Sequence, residues 1–338
     1  MSDPKRFFSI SDVPAGALEG EKVAVLGYGN LGRTVALNMR DSGTTVLVGN
    51  QDDEYAAQAK KEGFEVVSVQ EAAKADVVFV LLPDEVIPDV WAEIIAPSLK
   101  DNAAIAFGSG YTLAYDLIDT PSTLDVLLVA PRMAGETARE RFERGEGFWA
   151  YLGVENDASG KAERRMLGLA AGMGSLRADK DGNDAPGTGA MQMGAEMEAT
   201  IDLYIEQTVG PLLGGAIMTA FEVGSQNGIP PEALVLEMYM SGEFETVFTA
   251  FRTMGFFKAA ESHGPTALYG GMMRTMEVDR APMVERFEKV LGEIRAGDFA
   301  KKFQEERAAG YPMLEAAQLM IEADSPQTQA EARARKRG

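Results

Sequence analysis

Gly27, Gly29 and Gly32 stand in the stretch VLGYGNLGRT, between an apolar run and a helix-forming one. A dinucleotide pyrophosphate asks for this spacing. The first glycine permits a tight turn, the second lets the backbone approach the phosphates, and the third lets helix and strand pack closely. Tyr28, Asn30 and Leu31 complete the turn. The phosphates would rest on free N–H groups at the helix N-terminus, where the dipole favours an anion. A bare GxGxxG is a weak signal, so its context decides. Other chemistries are closed off at once. Cysteine is absent, which removes thiolate metal sites, cysteine nucleophiles and disulfides. His263 is the only histidine, which excludes a multi-histidine metal centre.

A ribose reader belongs at the end of the second strand, about 20 residues beyond the glycine turn. That stretch reads Gly49-Asn50-Gln51-Asp52-Asp53-Glu54. It offers no Lys or Arg for a 2′-phosphate and three carboxylates that would repel one, so NAD(H) is favoured over NADP(H). Arg33 and Arg40 are the cations that could fold in. Asp52 to Glu54 also suit the start of a helix, where acidic residues complement the dipole.

The elements that must position these residues follow from two periods. Apolar runs at 22–27, 44–49, 65–69, 76–83, 103–108, 125–131 and 148–154 are short and bounded by Gly, Pro or Asp. They read as strands buried on both faces of a parallel sheet. Helical stretches lie between them, which predicts an α/β, Rossmann-type doubly wound sheet over residues 1–183. The segment ADKDGNDAPGTG (178–189) reads as a boundary loop, after which strands are expected to disappear. Residues 184–323 are rich in Met, Ala and Glu with helical periodicity, broken at GIPPE (228–232) and SHGPT (262–266), and predict an all-helical domain. The polar tail, 324–338, is expected to be a frayed helix or disordered.

The chain has 338 residues and a formal net charge of -20, from 52 acidic and 32 basic side chains. Such a surface argues against a nucleic-acid partner, which needs a basic face. No apolar run reaches the roughly 18 residues of a membrane helix, and the N-terminus MSDPKRFFSISDV lacks the apolar core of a signal peptide. A cytoplasmic protein with no membrane partner is expected.

Six stretches then add up in order: GYGNLG, LNMRDSG (37–43), LLPDE (81–85), AFGSGY (106–111), VAPR (129–132) and DLYIEQ (202–207). Together they resemble ketol-acid reductoisomerase in its short form, over about residues 20 to 320. LLPDE and the DLxxEQ pattern are the specific parts. The resemblance implies an NAD(P)H enzyme of branched-chain amino-acid synthesis. It would shift an alkyl group in a 2-acetohydroxy acid and then reduce the 2-keto product, with two Mg²⁺ ions polarising the oxygens. It also implies a knotted helical domain that pairs with a second subunit, as a homodimer or higher oligomer. Leu82, Pro83 and Ser109 join the cofactor set on the same ground.

Asp202 and Glu206 match the family's first metal pair. Their spacing puts both carboxylates on one helix face, about 6 Å apart along the axis. Glu237 matches the first member of the second pair, but Ser241 stands where the family has a glutamate. Three further departures lie nearby. Ser109 replaces a histidine, Arg132 replaces a lysine, and Gly264 falls where a serine is expected. Arg132 retains the charge and could hold a substrate carboxylate bidentately. His263 could supply the proton that Ser109 does not, with Tyr111 and Tyr269 as further donors. The expected set is therefore Arg132, Glu237, Ser109 and His263 for catalysis, and Asp202, Glu206 and Glu237 around one Mg²⁺, a second being open. The leading expectation is an NAD(P)H-dependent reductase of a small 2-keto or related acid. The alternatives are a genuine ketol-acid reductoisomerase converting 2-acetolactate to 2,3-dihydroxy-isovalerate, and a non-catalytic NAD-binding oligomer.

Overall fold

Every apolar run predicted as a strand is one. The computed structural model describes residues 6–336, and its sheet contains β1 (Phe7–Phe8), β2 (Val23–Leu26), β3 (Val46–Gly49), β4 (Glu65–Val67), β5 (Val77–Val80), β6 (Ala104–Phe107), β7 (Asp125–Pro131), β8 (Trp149–Asn156) and β9 (Gly189–Gln192). Their order is β1-β9-β8-β7-β6-β5-β2-β3-β4. The run from β4 to β7 is parallel throughout. The order reverses between β2 and β5, which opens a crevice at the carboxyl ends of those strands.

Register fixes what meets in that crevice. Leu26 pairs with Gly49 on one side and Val80 on the other, and Val80 pairs with Phe107. The next residue of each chain segment is therefore at one level: Gly27, Asn50, Leu81 and Gly108. The sheet is held in place by burial on both faces. Val23, Val25, Phe79 and Leu127 pack on one side with Val35 and Met39 of the helix Asn30–Asp41 and Met166 and Leu169 of the helix Ala162–Met173. Their alternates Ala24, Leu26, Val78 and Val126 pack on the other with Trp91 and Ile95. Side chains alternate along a strand, so strands apolar at every position serve two cores at once.

Two expectations about the sheet are corrected. It is not wholly parallel: β8 runs antiparallel to β7, and β1 antiparallel to β9. β8 carries the trace of this in its alternation, with Ala150 and Leu152 buried and Trp149 exposed, a pattern natural to a sheet with one open face. Strands also do not end before 178–189. β9 follows that segment and pairs in parallel with β8. The polar segment thus lies inside the first compact unit, Met1–Ile201, and not at the 183/184 boundary drawn from composition; the second unit is Asp202–Gly338.

The second unit is helical, as its periodicity predicts. Helices follow at Pro231–Val235, Glu243–Met254, Pro265–Glu277, Ala281–Arg295, Asp298–Ala308, Pro312–Glu322 and Pro326–Arg335. The division between units falls within the 32-residue helix Ala195–Gln226. Gly228, with φ +86°, and the extended His263 mark the two expected breaks. The tail is a helix and not a disordered segment. Ser325 caps it together with Thr328, and its Ala330 is buried beside Phe221 and Val235. No described helix is long and apolar enough to cross a membrane.

Candidate active site

The three glycines of the turn are needed for three different reasons. Gly27 adopts φ +92°, and a Cβ there would lie 2.7 Å from the Leu81 carbonyl oxygen. At Gly32 a Cβ would come within 2.1 Å of the Gly27 carbonyl oxygen, so helix and turn could not close. Gly29 has nothing within 4 Å of its Cβ position. It faces open space at the start of the helix Asn30–Asp41, whose N-cap it forms. That space is a cavity of about 580 Å³. Backbone N–H groups at a helix start with room for an anion are what a pyrophosphate requires.

The cavity gathers most of the expected cofactor set. Gly27, Tyr28, Gly29, Asn30 and Leu31 line it, with Asn50, Gln51, Asp53, Leu82, Pro83 and Ser109. Gly32 and Asp52 do not. Gly32 acts behind the turn, and Asp52 is fully exposed, 3.9 Å from Lys60. Asp53 is the N-cap of the helix Glu54–Lys61 and accepts from Ala56 N at 3.0 Å. That hydrogen bond, with others from Gln51, Tyr55 and Asn50, lowers its pKa. Capping and ribose reading are thus compatible: Asn50 Nδ2 donates to Asp53 Oδ1 at 2.8 Å, while Asn50 Oδ1 accepts from Tyr28 N at 3.1 Å. The segment expected to read the ribose is tied to the glycine turn through one asparagine.

Tyr28 lines the cavity, yet its hydroxyl is directed elsewhere. The residue is 1 % exposed, and its hydroxyl donates to Glu62 Oε2 at 2.6 Å. Burial, and then this bond to a carboxylate, pushes the phenol pKa up. Arg33 Nη2 donates to Glu62 Oε1 at 2.6 Å, and Arg40 Nη1 to the Glu62 carbonyl at 2.8 Å. Both arginines that could fold toward the ribose are held by one residue. Among the described residues, no lysine or arginine lines the cavity.

A second cluster forms where β6, β7 and the start of the helix Ala195–Gln226 meet. Glu198, 1 % exposed, accepts from Gly110 N at 2.6 Å and pairs with Arg132 Nη2 at 3.1 Å. Arg132 also lies over the Tyr151 ring, 5.0 Å from its centroid. The close approach depends on Gly110, since a Cβ there would meet the Ala195 carbonyl oxygen at 2.2 Å. Ser109 Oγ accepts from Tyr111 N at 3.2 Å, and Tyr111 is buried against Tyr115. Sequence reasoning missed Glu198. Its signal was weak, being one more glutamate in MGAEMEATID, and its partners lie 66 and 88 positions away. Tyr55, on the cavity rim and half-exposed, was missed as well.

The remaining expected residues lie on separate elements. Asp202 and Glu206 lie one turn apart on the helix Ala195–Gln226. Glu237 lies in a π-helical turn, Leu236–Met240, and is exposed. Among the described residues, no three His, Cys, Asp or Glu side chains are grouped to hold a metal ion. Asp202, Glu206 and Glu237 thus belong to no such group. His263 is exposed in the second unit, ahead of the helix Pro265–Glu277, and Tyr269 is exposed on that helix.

A doubly wound sheet with a glycine turn at its switch point and an open cavity there defines a nicotinamide-dinucleotide oxidoreductase. Comparison with known proteins gives the family. The pattern of "Acetohydroxy acid isomeroreductase, NADPH-binding domain" matches residues 17–179, and that of "Ketol-acid reductoisomerase, C-terminal domain" matches residues 196–337. The putative ketol-acid reductoisomerase 3 of Saccharolobus solfataricus is 38% identical over 310 residues, 90% of each chain. A ketol-acid reductoisomerase (NADP(+)) of Caldivirga maquilingensis is 37% identical over 309 residues, again 90% of each. A solved NADH-preferring ketol-acid reductoisomerase from an uncultured archean superposes with a TM-score of 0.89 at 29% identity, covering 98% of both chains. The chain belongs to the ketol-acid reductoisomerase family and is an oxidoreductase.

Proposed function

We propose that this enzyme uses NADH to reduce a small 2-keto or related acid, with the alkyl shift lost. The observation that carries this reading is an asymmetry between the two halves of the chemistry. The dinucleotide cavity has every backbone feature the cofactor needs, whereas the carboxylate set is one short, with Ser241 four residues after Glu237. In an undisturbed α-helix those two positions share a face. Here Ser241 N bonds the Leu236 carbonyl across the π-helical turn, which alters that spacing. An alkyl shift that needs both oxygens polarised suffers from a missing ligand; a hydride transfer needs less.

The chain's own residues divide the work as follows. The glycine turn and Asn50–Asp53 hold the dinucleotide, and Tyr55 offers a ring to the adenine. Leu82, Pro83 and Ser109 flank the nicotinamide end. Arg132, oriented by Glu198, attracts the substrate carboxylate. The absence of a cation in the cavity lining supports NADH, and a proton donor is sought first at His263.

Asp202 and Glu206 have the donor chemistry for Mg²⁺, which prefers carboxylate oxygens and retains waters. When bound, the ion would polarise the substrate's oxygens. A second copy of the chain supplying Glu237 completes the donor set. A homodimer is supported by the apolar side chains the second unit leaves exposed, among them Phe257 at 86 % and Met320 at 80 %. A patch of this character on a soluble protein marks an interaction surface.

The test is oxidation of NADH and NADPH with 2-acetolactate and with 3-hydroxy-3-methyl-2-oxobutyrate, each with and without Mg²⁺. The second compound enters after the alkyl shift. Reduction of the second alone supports the proposal. Mg²⁺-dependent reduction of both overturns it in favour of a complete reductoisomerase, the reading favoured by relatives aligned over 90% of their length.

A further inference from the structure

Glu62 is outside the cavity and eight residues beyond Glu54, at the far end of the helix Glu54–Lys61. It nevertheless collects donors from Tyr28, which lines the cavity, and from residues just behind it. Tyr28 Oη donates at 2.6 Å and Gln58 Nε2 at 2.7 Å. Arg33 Nη2 donates to Oε1 at 2.6 Å, and its Nε lies 3.0 and 3.1 Å from the two carboxylate oxygens. The carbonyl of the same residue takes Arg40.

This arrangement sets up a competition. Arg33 stands in the first turn of the helix that opens at the glycine turn, next to Gly32. A guanidinium so placed is a ready partner for a phosphate, which it can grip through two N–H groups. A ribose 2′-phosphate carries a charge near -1.5 to -2 at neutral pH and would be the stronger attractor. Here the guanidinium is already gripped by a carboxylate, and its side chain remains 43 % exposed, so it is free to move once released.

We propose that Glu62 is a coenzyme-specificity residue: by holding Arg33 it withholds from the cavity the cation that a 2′-phosphate would need. The inference rests on the reading of this cavity as the dinucleotide site and adds to it a residue that touches no cofactor. Glu62 acts through Arg33 and is therefore a positioning residue. The competing account is that Glu62 only builds the turn by anchoring Tyr28. The two accounts differ in sign. Loss of a turn support weakens NADH and NADPH alike, whereas release of Arg33 strengthens NADPH selectively.

The experiment is titration of the full-length protein with NADH and NADPH, read by cofactor fluorescence, for the wild type, Glu62→Gln, Arg33→Ala and the double variant. The amide of Glu62→Gln can still accept from Tyr28 but no longer carries the charge that binds Arg33. Expected is a gain of about tenfold in NADPH affinity with NADH moved by less than about threefold. The gain should vanish in the double variant, and Arg33→Ala alone should leave the NADH affinity in place. Should Glu62→Gln not fold, Glu62→Asp replaces it, since the shorter acid cannot reach Tyr28 and Arg33 together; a smaller selective gain for NADPH is expected there. Equal weakening of both cofactors, no change in their ratio, or a gain that survives Arg33→Ala each overturns the inference. A wild type that binds neither cofactor overturns the reading of the cavity itself, whereas binding with an unmoved ratio defeats this inference alone.

Discussion

Glu198 and Glu62 show how much a single buried or half-buried carboxylate can organise. Glu198 joins the backbone at Gly110 to the Arg132 guanidinium. Glu198→Gln keeps the shape and removes the charge. It should cost about 1–3 kcal/mol of stability, the usual range for a buried partner left poorly satisfied. Its kinetic signature should be a higher KM for the acid substrate with an unchanged NADH dissociation constant, because Arg132 loses its orientation while the glycine turn is untouched. Steady-state kinetics beside NADH titration checks this, and an equal loss in NADH affinity would reassign Glu198 to the fold alone. Glu62 makes a prediction in pH. The Arg33 hydrogen bonds hold its pKa at about 2, below the ordinary 4.5. A depressed folded-state pKa contributes stability that is complete above about pH 4.5 and lost as pH falls toward 2. With Arg33 half-exposed and screened by solvent, that contribution is ~1 kcal/mol. Urea midpoints of the wild type and Glu62→Gln should therefore differ at pH 6 and converge near pH 2–3. Neither glutamate was legible in the sequence. The glycine turn was, because the positive φ of Gly27 and the closeness of Gly32 to the Gly27 carbonyl are local. A glutamate whose partner is dozens of residues away looks like any other charge on a helix.

At the scale of elements, legibility tracked burial. The strands β2, β5 and β6 were readable because each is apolar and buried at every position and serves two cores. β1 is two residues long, and β9 reads GAMQ, so neither has a pattern to find. The tail was only half legible, a helix or a disordered segment, for a related reason. The helix Pro326–Arg335 is polar almost throughout, and one small residue, Ala330, makes its buried contact. Its other attachments are side-chain bonds: Tyr239 to Glu331 at 2.6 Å, Gln327 to Tyr239 at 2.9 Å, and Arg333 to Glu232. All three reach the segment Pro231–Met240, which carries Glu237. Deleting residues 325–338 should therefore do more than trim a tail. It should lower the thermal midpoint by several degrees and weaken Mg²⁺ binding, measured by calorimetry, while NADH affinity stays within about twofold because the first unit retains its own core. An unchanged Mg²⁺ affinity would show that the tail helix is dispensable to the carboxylate segment.

At the scale of the whole molecule, the proposed metal site requires Glu237 to meet Asp202 and Glu206, and the proposed dimer offers two ways to do so. Composition could suggest a Met-rich interface but could not tell an interface from a core, since both are apolar. In the single chain Met272, Met276 and Met320 are exposed, and among the described residues no three candidate metal-ligating side chains are grouped. If the proposed dimer shares its metal ligands across subunits, a mixing experiment has a definite outcome. One chain carries Asp202→Asn with Glu206→Gln, and the other carries Glu237→Gln. Each homodimer is inactive. In a hybrid, one site collects every substitution, while the other receives intact Asp202 and Glu206 from one subunit and intact Glu237 from its partner. Random pairing makes about half the dimers hybrid with one of two sites restored, so roughly a quarter of wild-type activity should return on co-expression, as closed two-fold symmetry requires. If each subunit builds its own site, every site in the mixture lacks a ligand and no activity returns. Light scattering on the same sample supplies the control, since a dimer of the 36.3 kDa chain must be present for either result to bear on the shared site.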